Sequence, residues 1–84
     1  MSLQEIKNSP KVIGSKQVKK AISRGVAQKV FIALDAEPHI IEPIKELCRQ
    51  NQVEIQMVEN MEILGDVCGI EVGSATVALI NRGS

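Results

Sequence analysis

The stretch that decides the fold reads Lys29-Val30-Phe31-Ile32-Ala33-Leu34, and the turn residues Asp35-Ala36-Glu37-Pro38 follow it directly. Its apolar residues are continuous, and those at the centre are β-branched or aromatic, which is typical of a strand covered on both faces. The run is far shorter than the roughly 20 apolar residues that a membrane-spanning helix needs. It therefore predicts a buried strand over residues 29–34.

A helix is predicted before this strand. Ser15 is a suitable N-cap residue, and Gly25 is a typical residue just beyond a helix C-terminus. Val18, Ala21 and Ile22 between them have the i, i+3, i+4 spacing of a buried helix face. We therefore expect this helix to pack on the sheet through these three residues.

A second helix is predicted after the strand, from Pro38 to about Gln52. Its apolar residues recur at helical spacing and are expected to be buried: Ile41, Ile44, Leu47 and Cys48.

The remaining elements follow from the same two periodicities. Residues 53–58 alternate as a strand, and residues 61–68 indicate a short helix that Gly69 ends. A last apolar strand is expected over residues 75–80, and a short first one at residues 12–13. In the 53–58 strand, one side is expected to carry Val53, Ile55 and Met57, and the other Glu54 and Gln56. We therefore predict the α/β class, a three-layer α/β/α sandwich around a mixed four-stranded sheet, with residues 1–84 as a single domain.

Catalysis is not predicted. Cys48 and Cys68 lack a CxxC pair, and the glycines of residues 65–73 match neither a phosphate-binding P-loop nor a dinucleotide fingerprint. Asp35 and Glu37 could form an acid/base pair, although two acids beside a proline more often serve as caps. We expect no enzymatic activity, no metal and no cofactor, and we interpret both cysteines as structural thiols.

Composition and the N-terminal residues bear on location. The chain of 84 residues is 44% hydrophobic and 24% charged, which is ordinary for a globular protein. Residues 1–7 lack the apolar core and the small-residue cleavage site of a secretory signal. We therefore expect a cytoplasmic monomer with no membrane partner.

Charge is unevenly distributed along the chain. Residues 1–30 contain seven Lys or Arg and one Glu, a net charge of +6, whereas the remaining residues contain three cations and nine acids, a net charge of −6. Such a dipolar protein has one face suited to phosphate. Charge alone supports equally well a lysine-rich helix that is simply solvated.

A stripe of hydrogen-bond donors lies along the first predicted helix. At roughly 100° per residue, the stripe occupies about one quadrant, opposite the apolar face. Such side chains reach phosphates and base edges, and the helix N-terminus adds positive potential. An ordinary A-form major groove is too narrow for a helix, so the RNA groove would have to be widened locally by non-Watson–Crick pairs or a bulge. The stripe comprises Lys16, Gln17, Lys20 and Arg24.

Apolar contacts to nucleotides would have to come from aliphatic residues. The single aromatic residue, Phe31, lies in the buried strand, which argues against RNA-binding modules that stack bases on exposed rings. Ile70 and Val72 lie between Gly69 and Gly73, where an exposed loop is expected. The alternative is that both side chains fill the core.

Three blocks of sequence carry a family resemblance, namely residues 14–25, 33–38 and 64–73. They read GSKQVKKAISRG, ALDAEP and LGDVCGIEVG. In this order and spacing the chain resembles the ribosomal protein L7Ae/L30e family, which binds kink-turn RNA, and in particular its small bacterial branch. The similarity covers nearly the whole chain.

The resemblance implies roles at the first helix. Gly14 would allow close approach of the backbone, while Lys16 and Gln17 would reach tandem sheared G·A pairs. Lys20 would serve the same groove or its phosphates. Archaeal and eukaryotic members usually carry Asn-Glu where this chain has Lys16-Gln17, and archaeal members carry Glu where this chain has Leu34.

The resemblance also implies contacts elsewhere. Glu37 and Ile41 fall where members of the family contact an extruded nucleotide, and residues 70–72 match a loop that packs against flipped-out bases. The complete predicted RNA-binding set is Gly14, Ser15, Lys16, Gln17, Lys20, Arg24, Glu37, Ile41, Ile70, Glu71 and Val72.

Two functions are left open by the sequence. In the first, the protein clamps a kink-turn in ribosomal or regulatory RNA, with the ribosome or another ribonucleoprotein as its context. In the second, it is a protein-interaction module on the same fold that uses its acidic half as the contact surface.

Overall fold

The computed structural model describes residues 4–81, which form four helices and four strands. In chain order these are α1 (Gln4–Asn8), β1 (Lys11–Ile13), α2 (Ser15–Ser23), β2 (Ala27–Ala33), α3 (Pro38–Asn51), β3 (Glu54–Val58), α4 (Met61–Val67) and β4 (Thr76–Ile80). All the elements expected from periodicity are present, and α1 is an addition that the sequence pattern did not predict.

The four strands form one mixed sheet in the order β1-β4-β2-β3. β4 runs antiparallel to both β1 and β2, whereas β2 and β3 are parallel. Helices α2 and α3 pack against each other on one face, and α1 contacts α4 on the other. The predicted three-layer α/β/α sandwich is therefore confirmed.

Strand β2 lies inside the sheet, and its residues 29–33 are buried, as expected for a strand with helices on both faces. The prediction was wrong at both ends of the strand. β2 begins at Ala27 and ends at Ala33, and the side chain of Leu34 is 61% exposed. The apolar run continues one residue beyond the part of the sheet that the helices cover, so Leu34 reaches solvent.

Helix α2 buries Val18, Ala21 and Ile22, as its spacing predicted. The predicted N-cap was wrong, because Gly14 caps the helix with φ 99° and makes no side-chain capping bond, so that Ser15 is the first helical residue. Only glycine adopts this positive φ readily, and the backbone at Gly14 therefore determines where the helix begins.

Helix α3 begins at Pro38, as predicted, and its C-cap Gln52 has a left-handed backbone. Ile41, Ile44 and Cys48 are buried, whereas Leu47 is only partly buried. The expected alternation along β3 is not visible in its burial: Met57 is 37% exposed. β3 is an edge strand with one neighbour, so its outer residues are incompletely covered.

Candidate nucleic-acid interface

One end of the sheet gathers three of the predicted segments. The amide of Gly14, after β1, donates a hydrogen bond to the carbonyl of Thr76 at 3.1 Å. At the end of β2, the amide of Ala33 donates to Ala75 O at 2.9 Å. We call this the Gly14 end; it contains the N-terminus of α2, the turn at residues 34–37 and the loop at residues 69–75.

The N-terminus of α2 presents an open backbone and exposed polar side chains. A Cβ placed on Gly14 would meet no atom within 4 Å, so the space in front of this residue is empty. Lys16, Gln17 and Lys20 are exposed. The first N–H groups of a helix have no partners within it and carry positive potential. This surface can therefore accept a phosphate or the acceptor edge of a base.

The cations of α2 are unpaired. Among residues 4–81, no ion pair involves Lys16, Lys19, Lys20 or Arg24. Arg24 is the C-cap of α2, and a rise of roughly 1.5 Å per residue places it roughly 15 Å from Gly14 along the helix. The structure thus brings Lys16 and Gln17 to the Gly14 end and places Arg24 at the far end of the helix.

Lys29 contributes to the positive charge of residues 1–30 but is not available to a ligand. Its side chain is buried, with Nζ 3.3 Å from Oε1 of Glu5 and 3.8 Å from Oε2 of Glu54. The same Nζ lies 5.3 Å from the centre of the Phe31 ring. Lys29 is satisfied inside the fold, so the positive charge available to a polyanion comes chiefly from the exposed cations of α2 and its C-cap.

The loop at residues 69–74 exposes the side chains expected to meet nucleotides. Val72 is 70% exposed, Glu71 is exposed and Ile70 is half-buried. A Cβ on Gly65 would lie 2.2 Å from the carbonyl oxygen of Val72, so the loop crosses α4 where α4 has no side chain. This crossing holds the backbone of Val72 against α4 while its side chain reaches solvent, and Val72 is not a core residue.

The turn after β2 contains Glu37 and the start of α3. Glu37 is exposed, with its Oε1 3.3 Å from Nε2 of His39, and it caps α3 through its backbone only. Ile41 is 6% exposed and packs in the core, as its helical spacing predicted. Its side chain is therefore not accessible to the extruded nucleotide that the family resemblance implied.

Asp35 lies in the turn before α3, but it caps the N-terminus of α4. Its Oδ1 accepts a hydrogen bond from the amide of Met61, the first residue of α4, at 2.9 Å. The turn residues predicted a capping role for Asp35, but not this partner, which lies 26 residues further along the chain. Neither the exposure of Leu34 nor the close approach of the Val72 carbonyl to Gly65 could be predicted from local spacing, because each depends on how the elements pack.

Burial makes both cysteines poor nucleophiles. It raises the pKa of Cys48 to about 11 and also raises the pKa of Cys68, so both thiols are protonated at neutral pH. Within residues 4–81, no group of three or more His, Cys, Asp or Glu side chains could hold a metal ion. None of the helices described is long and apolar enough to cross a membrane.

The sequence pattern of the Ribosomal protein L7Ae/L30e/S12e/Gadd45 family matches residues 3–84. An RNA-binding protein of Caldanaerobacter subterraneus subsp. tengcongensis is 43% identical over 68 residues, which cover 81% of this chain and 83% of that relative. The RNA-binding protein YbxF of Geobacillus stearothermophilus is 37% identical over 81 residues, which cover 95% and 99% of the two chains.

A solved structure is similar over the same range. The Giardia lamblia 15.5kD RNA binding protein superposes with a TM-score of 0.90 at 23% identity, covering 96% of this chain and 72% of that one. At this identity the similarity establishes the fold alone.

Proposed function

The chain belongs to the ribosomal protein L7Ae/L30e/S12e/Gadd45 family, in its small bacterial branch, and from this premise we propose that it binds structured RNA containing a kink-turn. In this proposal residues 1–84 act as one RNA-binding domain that stabilises the bent RNA and catalyses no reaction. One copy of the protein binds one kink-turn.

The observation that carries the proposal is the composition of the Gly14 end. Unpaired cations and a glutamine at the start of α2 lie on the same end of the sheet as an exposed aliphatic loop. The two segments are tied together at Thr76, whose carbonyl accepts hydrogen bonds from Gly14 N at 3.1 Å and from Ser74 Oγ at 2.9 Å. A single ligand can therefore contact both.

Each half of this surface matches one feature of a kinked RNA. Lys16, Gln17 and Lys20 supply donors for phosphates and for the acceptor edges of bases in a widened groove. Val72 supplies apolar area that gains burial only when an unstacked base covers it. A regular duplex offers no unstacked base, so the protein binds the kinked state more tightly and shifts the RNA toward it.

Relatives and family support the class of ligand. Two relatives similar over most of this chain are named RNA-binding proteins, and the family includes ribosomal proteins. We propose ribosomal RNA or a regulatory RNA as the target, with binding in the cytoplasm, where both are found. Glu37, with Glu71 and Ile70, completes the proposed contact surface around the extruded nucleotides.

The proposal is tested by titrating the protein against two RNAs. One contains a kink-turn, and the other is the same duplex with its tandem G·A pairs replaced by Watson–Crick pairs. We expect the kink-turn RNA to bind at least roughly tenfold more tightly at equal salt concentration, since the dissociation constant depends strongly on salt. Equal affinity for both would contradict kink-turn recognition, and absence of binding to either would favour the protein-interaction alternative.

A further inference from the structure

Asp35 links two of the segments at the Gly14 end. It follows β2 in the turn that leads to Glu37, and its Oδ1 accepts the amide hydrogen of Met61 at 2.9 Å. The first turn of α4 already has an N-cap of its own, because Oδ1 of Asn60 accepts from the amide of Ile63 at 2.8 Å. The Asn60 side chain does not reach the amide of Met61, which has no acceptor within α4, and Asp35 supplies that acceptor from the β2–α3 turn.

The hydrogen bonds continue from Met61 to the N-terminus of α2. The carbonyl of Met61 accepts from the amide of Ser74 at 3.1 Å, and the hydroxyl of Ser74 donates to the carbonyl of Thr76 at 2.9 Å. The amide of Gly14 donates to that same carbonyl at 3.1 Å. Ser74 and Thr76 are buried, so water does not compete strongly for these bonds.

We propose that Asp35 is a positioning residue of the RNA-binding surface. Through Met61 and Ser74 it fixes the turn that carries Glu37 relative to the loop that carries Val72, and it does so without touching RNA. This inference rests on the proposed function, because it names a residue that prepares the same surface.

The physical reason is preorganisation. A loop that is already held in its binding geometry loses less conformational freedom when the ligand binds, and the affinity rises accordingly. Without the Asp35 acceptor, the amide of Met61 donates its hydrogen bond to water instead. One of the bonds that hold α4 and residues 69–74 to the β2–α3 turn is then lost. The number of phosphate contacts is unchanged, so the salt dependence of binding is unchanged as well.

Two substitutions at this position separate the hydrogen bond from the charge. Asp35→Asn removes the charge but keeps a side-chain oxygen that can accept from Met61, whereas Asp35→Ala removes both. We expect Asp35→Asn to bind kink-turn RNA at least as tightly as the wild type. For Asp35→Ala we expect a roughly three- to tenfold higher Kd, the size that one hydrogen bond of ordinary net strength implies.

Two further measurements make the test independent of folding defects. The exchange rate of the Met61 amide, measured by NMR without RNA, should rise in Asp35→Ala and stay near the wild-type rate in Asp35→Asn. Ser74→Ala, which cuts the link to Thr76, should raise Kd in the same direction, with the salt slope unchanged in every variant. Affinities are compared per folded molecule, from melting curves recorded in the same buffer.

The outcomes distinguish this inference from the proposed function. If the wild type fails to prefer the kink-turn over the control duplex, the proposed function itself is wrong. If the wild type prefers the kink-turn but Asp35→Ala and Asp35→Asn bind equally, Asp35 does not position the site. A salt slope reduced by about one unit in Asp35→Ala would also overturn the inference, because it would mean that a phosphate contact was lost.

Discussion

Helices α2 and α3 lie side by side in the same layer, yet they differ in whether their charged side chains form ion pairs within the chain. In α3, Nζ of Lys45 lies 4.0 Å from Oε2 of Glu42, and Arg49 hydrogen-bonds Glu46. The bond from Arg49 lowers the pKa of Glu46 below its ordinary value. Helix α2 contains no acidic residue at all, and its cations have no ion-pair partner within residues 4–81.

The two helices also begin differently. α3 starts with Pro38, which has no N–H group to satisfy, whereas α2 starts after Gly14 with open space in front of it. Both helices have one apolar face, so amphipathicity does not separate them. The difference lies in whether the charged side chains of the polar face form ion pairs within the described residues, and it is the reason for proposing α2 as the helix that contacts RNA.

The largest expected effect comes from removing cations of α2. The double variant Lys16→Ala/Lys20→Ala should raise the Kd for kink-turn RNA about 30-fold and lower the salt slope by about two units, because two charge-assisted contacts are lost. The matched control is Lys45→Ala/Arg49→Ala in α3, for which we expect no change in slope. Titrations at several salt concentrations make the comparison, and equal effects in the two helices would contradict it.

A smaller effect is expected at the exposed loop. Val72→Ala should raise Kd about fivefold, since roughly 1 kcal/mol of burial against an unstacked base is lost. The melting temperature should stay nearly constant, because Val72 is exposed in the free protein. Met57→Ala on β3 is the control for an exposed apolar side chain elsewhere. A large fall in melting temperature for Val72→Ala, with affinity per folded molecule unchanged, would assign Val72 to packing.

A third variant makes α2 resemble α3. Ser23→Glu places an acid three residues after Lys20 and four after Lys19, which is the spacing at which helical side chains pair. We expect Kd to rise about two- to threefold through partial neutralisation of these cations. Ser23→Gln, of similar size but uncharged, should bind as the wild type does. If both variants weaken binding equally, charge pairing is not the cause.

The smallest expected effect on RNA binding is at Lys29. Lys29→Ala should lower the free energy of unfolding by about 1–3 kcal/mol, because a buried stem and its ion-pair contacts are lost. Affinity per folded molecule and salt slope should both be unchanged. Denaturant unfolding followed by RNA titration of the folded fraction tests this. A reduced salt slope would mean that Lys29 reaches phosphate after all.

Strong periodicity made the elements predictable from sequence. The apolar face of α2 and the buried centre of β2 follow from spacing alone, because side-chain direction repeats with the backbone geometry. The ends of elements were less predictable. Gly14 and Ser15 are both common capping residues, and the choice between them depends on the tether of Gly14 to Thr76.

The sequence predicted which segments form the candidate site, but not the hydrogen bonds and ion pairs that hold those segments in place. Lys16, Gln17 and Val72 are exposed where the resemblance implied contacts, although their roles stay predictions. The partners of Asp35 and Lys29 belong to other elements, so no local sequence pattern predicts them. A count of charges treats every lysine alike and therefore included Lys29 with the surface cations.

The hydrogen bond between Gly14 and Thr76 also sets an order of events during synthesis. Gly14 is synthesised before Thr76, and within residues 4–81 β1 pairs only with β4. A nascent chain that stops before residue 76 contains the cations of α2, but it lacks the hydrogen bond to Gly14, and its loop at residues 69–75 is not held in place. Strands that are far apart in the sequence, such as β1 and β4, pair late in folding. The hydrogen bond between Gly14 and Thr76 therefore forms only after residue 76 has been synthesised, and under the proposed function a shorter nascent chain would bind RNA less tightly than the folded domain.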